Sequence, residues 1–395
     1  MFSNIKIKVY FQPIISIKDK KIFAFEALVR GFDKKNNLIT PDILLEKAKN
    51  DKVIEKFDNY IRQKAIRKFK SYYDEDENLL LFLNFESSVI EKSEKYNFNL
   101  DFVKEVERLN INKKNIVLEI KEDTISNIKA LNTFCKRYKD LGFIIAIDDF
   151  GTGYSSFDRL AIIQPDIVKI DRSLISNIEN NYINSSILKS IVDISNKIGA
   201  LTLAEGVETK EEILTCMKNH IEIYQGFYFE KAIDEIKKET KESLLNKINI
   251  IGLEYKDAVK KHMKTKQAIL KRMKHLTKDV VKTISFEQNF HLEKLELILK
   301  ENNNIEAIYL IDYNLGNQIN DTLINNIQNR FYKASKHNDD HNLKEYYYIT
   351  KESKTKEFLS QKYISKATGN MCRTYSKTIK INQSRFILCF DILTD

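Results

Sequence analysis

Tryptophan is absent from this 395-residue chain; proline occurs three times, cysteine four times and glycine ten times. The cysteines, Cys135, Cys216, Cys372 and Cys389, lie far apart, with no CxxC pair and no histidine at metal-ligand spacing. This argues against a disulfide framework or a thiolate zinc site and leaves buried or incidental thiols in a reducing compartment. No run of ~18 apolar residues occurs, so no transmembrane helix is expected. Met1–Val9 alternates Lys with Ile and Val and lacks an apolar core of signal-peptide length, which points to the cytosol. No GxGxxG loop follows the first strand, which counts against a doubly wound dinucleotide-binding sheet.

What is present is ordinary in amount but uneven in placement. Apolar residues make up 43% of the chain and the formal net charge is +9, with Lys, Asn and Ile abundant throughout. A bias spread this evenly is not a basic patch, so no nucleic-acid partner is expected. The length admits two or three domains, one of them large enough for an α/β barrel. Pro13, Pro41, Pro165 and seven of the ten glycines precede residue 230. Backbone special cases, and with them the chemistry, are therefore expected in the first part.

Lys6 to Ile15 reads as a strand, and the turn Asp19-Lys20-Lys21 leads into a second, Ile22 to Leu28, which must be antiparallel to it. Alternating units follow. Helical stretches (41–50, 54–73) precede strand 79–83, helix 87–108 precedes 116–120, and helix 125–141 precedes 143–147. Helix 155–163 then leads to strand 167–170, helix 184–198 to 201–204, and helix 210–219 to 221–224. Continuous apolar strands between amphipathic helices imply a parallel sheet covered by helices. About eight strands in some 230 residues fit a modified (β/α)8 barrel with one antiparallel strand.

Polar residues stand at the strand ends: Glu26, Asn84, Glu119, Asp148 with Asp149, Lys169 with Asp171, Glu205 and Gln225. Each alone reads as a helix cap or a solvated charge, but seven consecutive strands repeat the pattern. In a barrel these side chains converge on the rim that carries active sites. Oxygen ligands without His or Cys suit Mg²⁺ or Mn²⁺. Adjacent aspartates let one carboxylate bridge two ions roughly 3.5–4 Å apart, an arrangement used in phosphoryl displacement. A lysine among them can orient or help deprotonate the attacking water, and Arg30 offers a fork for a phosphate oxygen. These parts would build a metal-dependent phosphodiesterase.

The stretch Glu26-Ala27-Leu28-Val29-Arg30 resembles the signature of the EAL domain, the phosphodiesterase of the bacterial second messenger cyclic di-GMP. The resemblance continues through Tyr10 to Ile14, Asn84 to Ser87, Leu118 to Glu122, Asp148 to Ser156, Val168 to Arg172, Leu203 to Thr209 and Gln225 to Phe227. It implies that Glu26, Asn84, Glu119 and Asp148 hold one metal ion, and that Asp148 and Asp149 hold a second with Glu205 nearby. Lys169 would position the attacking water, supported by Asp171 and Gln225, while Gln12 and Arg30 match substrate-contacting positions. Glu122 and Glu208 match acidic positions that hold the loop 149–156, which couples to dimerisation; Gly151 and Gly153 would let that loop shift. The implied product is linear pGpG, the implied assembly a homodimer, and Ca²⁺ is expected to support binding better than turnover. The chain departs from the family pattern at Glu86, usually small or Ser; Lys121, usually Thr; Gln164, usually apolar; and Ala232, usually Pro.

Three segments are expected: the barrel (1–236), a helical connector (237–302) and a small α+β domain (303–395). In the connector Ile269, Met273, Leu276 and Val280 form one apolar stripe on a basic helix, suited to packing on a neighbouring domain or, alternatively, to a dimeric coiled coil. The last segment reads as strands at 307–311, 345–350, 371–381 and 385–393. It resembles PAS/Cache-like sensor domains in Tyr363 to Gly369 and Ile387 to Ile392, which implies a small-molecule ligand or a dimerising role. The loop 334–343, with His337 and His341, reads first as solvated. Two functions remain: a phosphodiesterase regulated by its C-terminal domain, and a cyclic di-GMP receptor that binds without hydrolysing.

Overall fold

The computed structural model describes the chain apart from residues 1–4, 93–100, 122–124, 126, 153–156, 286–291, 326–332 and 395. It forms two compact units, Met1–Ala258 and Val259–Asp395, whose division falls inside one long helix. None of the described helices is long and apolar enough to cross a membrane.

The first unit is a barrel. Its strands are β1 (Lys6–Ser16), β2 (Lys21–Phe32), β3 (Leu38–Ile39), β4 (Leu80–Phe85), β5 (Ile116–Lys121), β6 (Ile144–Phe150), β7 (Ile167–Ile170), β8 (Leu201–Ala204) and β9 (Ile223–Tyr224). The spatial order is β1-β9-β8-β7-β6-β5-β4-β2, closed by β1 against β2, with β3 a short extension on β2. β1 is antiparallel to both its neighbours, and all pairs from β2–β4 to β8–β9 are parallel. This is the modified (β/α)8 barrel expected from the sequence.

Around it lie α1 (Pro41–Asn50), α2 (Ile54–Glu75), α3 (Ser87–Lys92), α4 (Asp101–Arg108), α5 (Ile128–Asp140), α6 (Phe157–Ile163), α7 (Arg172–Ile175), α8 (Tyr182–Ile198) and α9 (Lys210–Lys218). Of the helix expected over 87–108, residues 87–92 and 101–108 are helical as α3 and α4, and 93–100 lie outside the described residues. α2 buries Ile66, Phe69 and Tyr73 on one face, as the helical period allows, and puts Phe57 near its start into a separate small cluster with Leu44 and Ala48. α9 begins with a reciprocal capping box between Thr209 and Glu212, and α8 stops at Gly199 in the left-handed conformation.

Inside the barrel one apolar residue comes from each of the eight strands: Ile14, Ala24, Phe82, Val117, Ala146, Ile167, Leu203 and Ile223. This closed layer is a floor. Strand side chains alternate faces with period two, so the residue two positions further toward the C-terminal rim must also point inward. Those residues are Gln12 (two back, because β1 runs the other way), Glu26, Asn84, Glu119, Asp148, Lys169, Glu205 and Gln225. Every one is polar.

The second unit holds a six-stranded sheet: β10 (Ile305–Asp312), β11 (Leu323–Ile324), β12 (Glu357–Leu359), β13 (Tyr363–Ile364), β14 (Met371–Ile381) and β15 (Ser384–Leu393). The long helix α10 (Lys238–Ser285) starts in the first unit, where Leu244, Ile248 and Ile251 join the core. Beyond residue 258, Met273, Val280 and Ile284 pack with Leu388 and Phe390 of β15, as do Leu295 and Leu299 of α11 (Leu292–Glu301). The apolar stripe of the sequence is therefore covered within this unit.

Two expectations fail here. Residues 345–350 form not a strand but a helix, α12 (Glu345–Glu352). Its tyrosines and isoleucine favour strand, but Tyr347 and Thr350 are both buried at a spacing of three, so packing overrides propensity. His341 does not lie in a solvated loop. It is buried, its ring is 6.0 Å from that of Tyr309, and its Nδ1 is 2.8 Å from the Tyr346 hydroxyl. His337 is exposed.

Candidate active site

Lys169 organises the layer above the floor. Its Nζ is 2.5 Å from Glu119 Oε1, 2.7 Å from Asp148 Oδ1 and 2.7 Å from Glu205 Oε1, with only 1% of the side chain exposed. Burial opposes its charge, but Asp148, Glu119, Glu205 and Glu26 outweigh that and hold its pKa well above the ordinary value. With these carboxylates around it Lys169 is held as an ammonium, which can orient a group or donate to it.

The carboxylates respond unequally. Burial pushes Glu205 up to about 8 against the pull of Lys169, with Asp148 and Glu26 adding to the rise. Burial and the neighbouring Glu26 also raise Glu119 far above the usual range. Asp148 goes the other way: burial would raise it, yet Lys169 and then Lys121 hold it low. On the other side, Glu26 accepts from Asn84 Nδ2 at 3.0 Å and from Gln225 Nε2 at 2.6 Å. Gln225 is fixed because Gly226 packs on the backbone of Val207, where a Cβ would meet the carbonyl oxygen at 2.1 Å.

Asp149 reaches the site by a different route. Its neighbour Asp148 already points inward, so a regular strand would send Asp149 outward. The register of β6 against β7 breaks between Ile147 and Phe150, and Asp149 has φ +56°, in the left-handed region. This irregularity turns both aspartates to the rim. Asp148, Asp149 and Glu205 then each offer an oxygen within 4.8 Å of the others.

This donor set fits a hard divalent cation. It is all oxygen, and Glu119 Oε2 is buried with no hydrogen-bond partner. Glu119 Oε1 and Asp148 Oδ1, also buried, meet the Lys169 ammonium at 2.5 and 2.7 Å. A buried carboxylate oxygen left without a partner, as Glu119 Oε2 is, calls for a cation.

A cavity of about 1240 Å³ opens above, lined by Gln12, Glu26, Asn84, Asp148, Asp149, Lys169, Asp171, Glu205 and Gln225 among others. Arg30 does not line it: β2 runs on to Phe32, Arg30 pairs in register with Lys8, and its Nη1 donates to the Val29 carbonyl. Asp171 lines the cavity and also caps α7 by accepting from Ser173 N at 2.8 Å. Glu208 pairs with Arg172. Gly151 has φ +109°, and a Cβ there would meet Leu174 Cδ1 at 2.4 Å. Glu122 and Gly153 lie outside the described residues.

Among the residues that line the cavity, Arg172 and Phe227 were given no role from the sequence, and Lys121 was noted only as a departure from the family pattern. Phe227 is 57% exposed and offers a ring face to a base. Glu86, two residues above Asn84, has its charge met by Lys49 at 2.7 Å. The signal for Lys121, and for Glu86 just past the end of β4, was in the same period of two, counted one step further up the strand, whereas Phe227 lies in the turn that follows β9.

Residues 1–232 match the EAL domain family. The chain belongs to that family. It is 29% identical over 231 residues to cyclic di-GMP phosphodiesterase NbdA of Pseudomonas aeruginosa, covering 58% of this chain and 29% of that protein. It is 28% identical over 236 residues to the probable cyclic di-GMP phosphodiesterase PdeG of Escherichia coli, covering 59% and 46%. The chain thus spans less than half the length of these two relatives. The Bacillus subtilis YkuI protein, with an EAL domain and solved in complex with substrate c-di-GMP and calcium, has the same fold. Its TM-score is 0.81 at 22% identity, covering 98% of this chain and 96% of that one.

Proposed function

We propose that this EAL protein hydrolyses cyclic di-GMP to linear pGpG in a reaction that depends on two divalent ions, Mg²⁺ or Mn²⁺. The observation that carries this reading is the complete polar layer above the barrel floor, with Lys169 bound to three carboxylates. The names of the relatives and the ligands of the YkuI structure support the substrate and the need for a metal. Glu26, Asn84, Glu119 and Asp148 would hold one ion, and Asp148, Asp149 and Glu205 the other. When bound, the ions supply Lewis acidity and a water acidic enough to attack a phosphodiester.

The chain's own groups do the rest. Lys169 keeps its proton and orients the attacking water. Gln225 and Asn84 hold Glu26 in place from two sides. Gln12 and Phe227 face the cavity where the nucleotide would lie, and the volume suits a ligand of that size. Control by the C-terminal unit and a homodimer belong to the same reading, with the segment after Asp149 as the link.

Turnover of cyclic di-GMP with Mg²⁺ or Mn²⁺, beside the Glu26→Ala variant, tests it. Tight binding with no pGpG in either metal would replace the enzyme by a receptor. Ca²⁺ is expected to support binding with much slower turnover, because its looser coordination positions water poorly.

A further inference from the structure

Lys121 is a second lysine of the site, and it differs from Lys169 in exposure and in its main partner. It lies on β5 two residues above Glu119, so it points into the barrel mouth, and it pairs in register with Asp148 of β6. Its Nζ is 2.5 Å from Asp149 Oδ2 and 3.9 Å from Asp148 Oδ2. Asp149 is one of the three carboxylates that come within ligating distance of one another. The ammonium of Lys121 therefore rests where the charge of the second ion would act. Lys169 is sealed under three carboxylates, whereas the Lys121 side chain is 49% exposed on a flexible four-carbon stem. It can leave.

We propose that Lys121 is a built-in competitor for the second divalent ion: its ammonium neutralises Asp149 until an ion of sufficient concentration displaces it. This rests on the two-ion reading of the site. A monocation and a dication cannot share the same carboxylate oxygens at contact distance without strong repulsion. The second ion would therefore have to pull Asp149 away from Lys121, and its affinity is lowered by that exchange. The ion on Glu26, Asn84, Glu119 and Asp148 feels Lys121 far less, because Lys121 stands 3.9 Å from Asp148 Oδ2 against 2.5 Å from Asp149 Oδ2. The protein thus fills its two sites at well-separated concentrations, and turnover follows the second.

The test is Mn²⁺ binding to the full chain without nucleotide, by titration calorimetry and by the electron spin resonance signal of free Mn²⁺. The variants are Lys121→Met, which keeps the length and removes the charge, and Lys121→Arg, which keeps the charge. Circular dichroism checks that all three proteins are folded. In the wild-type protein two ions are expected, the second bound at least about tenfold more weakly, since one lost ion pair is worth a factor of this order. Lys121→Met should tighten the second ion about tenfold and leave the first unchanged, and Lys121→Arg should resemble the wild type. Two ions bound alike in wild type and Lys121→Met would overturn the inference while leaving the metal site intact. So would unchanged Mn²⁺ binding combined with weaker cyclic di-GMP binding, which would make Lys121 a phosphate contact. No ion bound by any of the three would remove the two-ion reading as well.

Discussion

Lys169 Nζ lies 2.5 Å from Glu119 Oε1 with both side chains sealed from solvent, at 1% and 0% exposure. A pair this deep costs more to break than it contributes to stability, because removing one partner strands the other's charge. Lys169→Met should abolish turnover and, in EDTA, destabilise the barrel by ~3–5 kcal/mol at pH 8. At pH 5.5 the stranded carboxylates take up protons and the loss should shrink. Urea denaturation at the two pH values measures both, and Mg²⁺ should restore part of the stability at pH 8. An equal loss at both pH values would mean that the carboxylates are not what Lys169 supports.

Glu205, pushed up to about 8 mainly by burial, is largely protonated at pH 7 before an ion binds. A cation must expel that proton. Metal affinity should therefore rise as pH increases toward 8 and level off above it, with close to one proton released per ion bound at Asp148, Asp149 and Glu205 near pH 7. Calorimetry in buffers of different ionisation enthalpy reads the proton count directly. In Glu205→Gln that proton should vanish from the count.

Gly226 and Gly199 make a matched pair. A Cβ at Gly226 would sit 2.1 Å from Val207 O and 2.3 Å from Val207 N, whereas at Gly199 (φ +78°) nothing lies within 4 Å. Gly226→Ala must move backbone and should cost ~3 kcal/mol or more, dislodging Gln225 from Glu26. Gly199→Ala carries only the left-handed penalty of ~1–2 kcal/mol. Thermal melts separate the two, and Mn²⁺ binding should weaken in Gly226→Ala alone.

In the second unit, burial pushes Asp391 up to about 6 although Thr374 and Tyr363 donate to it. The folded state thus holds this proton more tightly than the unfolded chain, whose aspartates titrate near 3.8. The associated stability is fully present below about pH 4 and is lost as pH rises through 6, on the order of 2–3 kcal/mol. Amide exchange in β14 and β15, corrected for intrinsic rates, should show protection falling across that window. Asp391→Asn should flatten the profile.

Much of this was legible because the barrel imposes one rule on every strand. The apolar runs ending in Glu119, Asp148 and Lys169 reveal strand, face and rim together. Asp149 was legible as a residue but not as a geometry, since nothing in the letters Asp-Asp-Phe-Gly says that β6 breaks its register there. The end of β2 was legible only in part: the sequence suggests that it stops at Leu28, but pairing with β1 and β3 carries it to Phe32 and puts Arg30 inside the strand. The tyrosines of α12 follow a packing need set by a sheet formed elsewhere in the chain, and Thr350 meets Ser376 at 2.7 Å. Local propensity carries no trace of such a partner.

The floor of eight apolar residues and the polar layer two positions above it are locked to each other by the pleat. Deleting or inserting a single residue upstream of either member of a pair, inside its strand, would turn an acid toward the helices and a polar neighbour into the floor in one event. The barrel cannot drift out of function by slipping; it unfolds first. A descendant of this chain that keeps the shape but loses the polar layer can therefore arise only by exchanging side chains in place. Its history would be written as point substitutions at Glu26, Lys169 or Glu205, never as gaps in the strands that carry them.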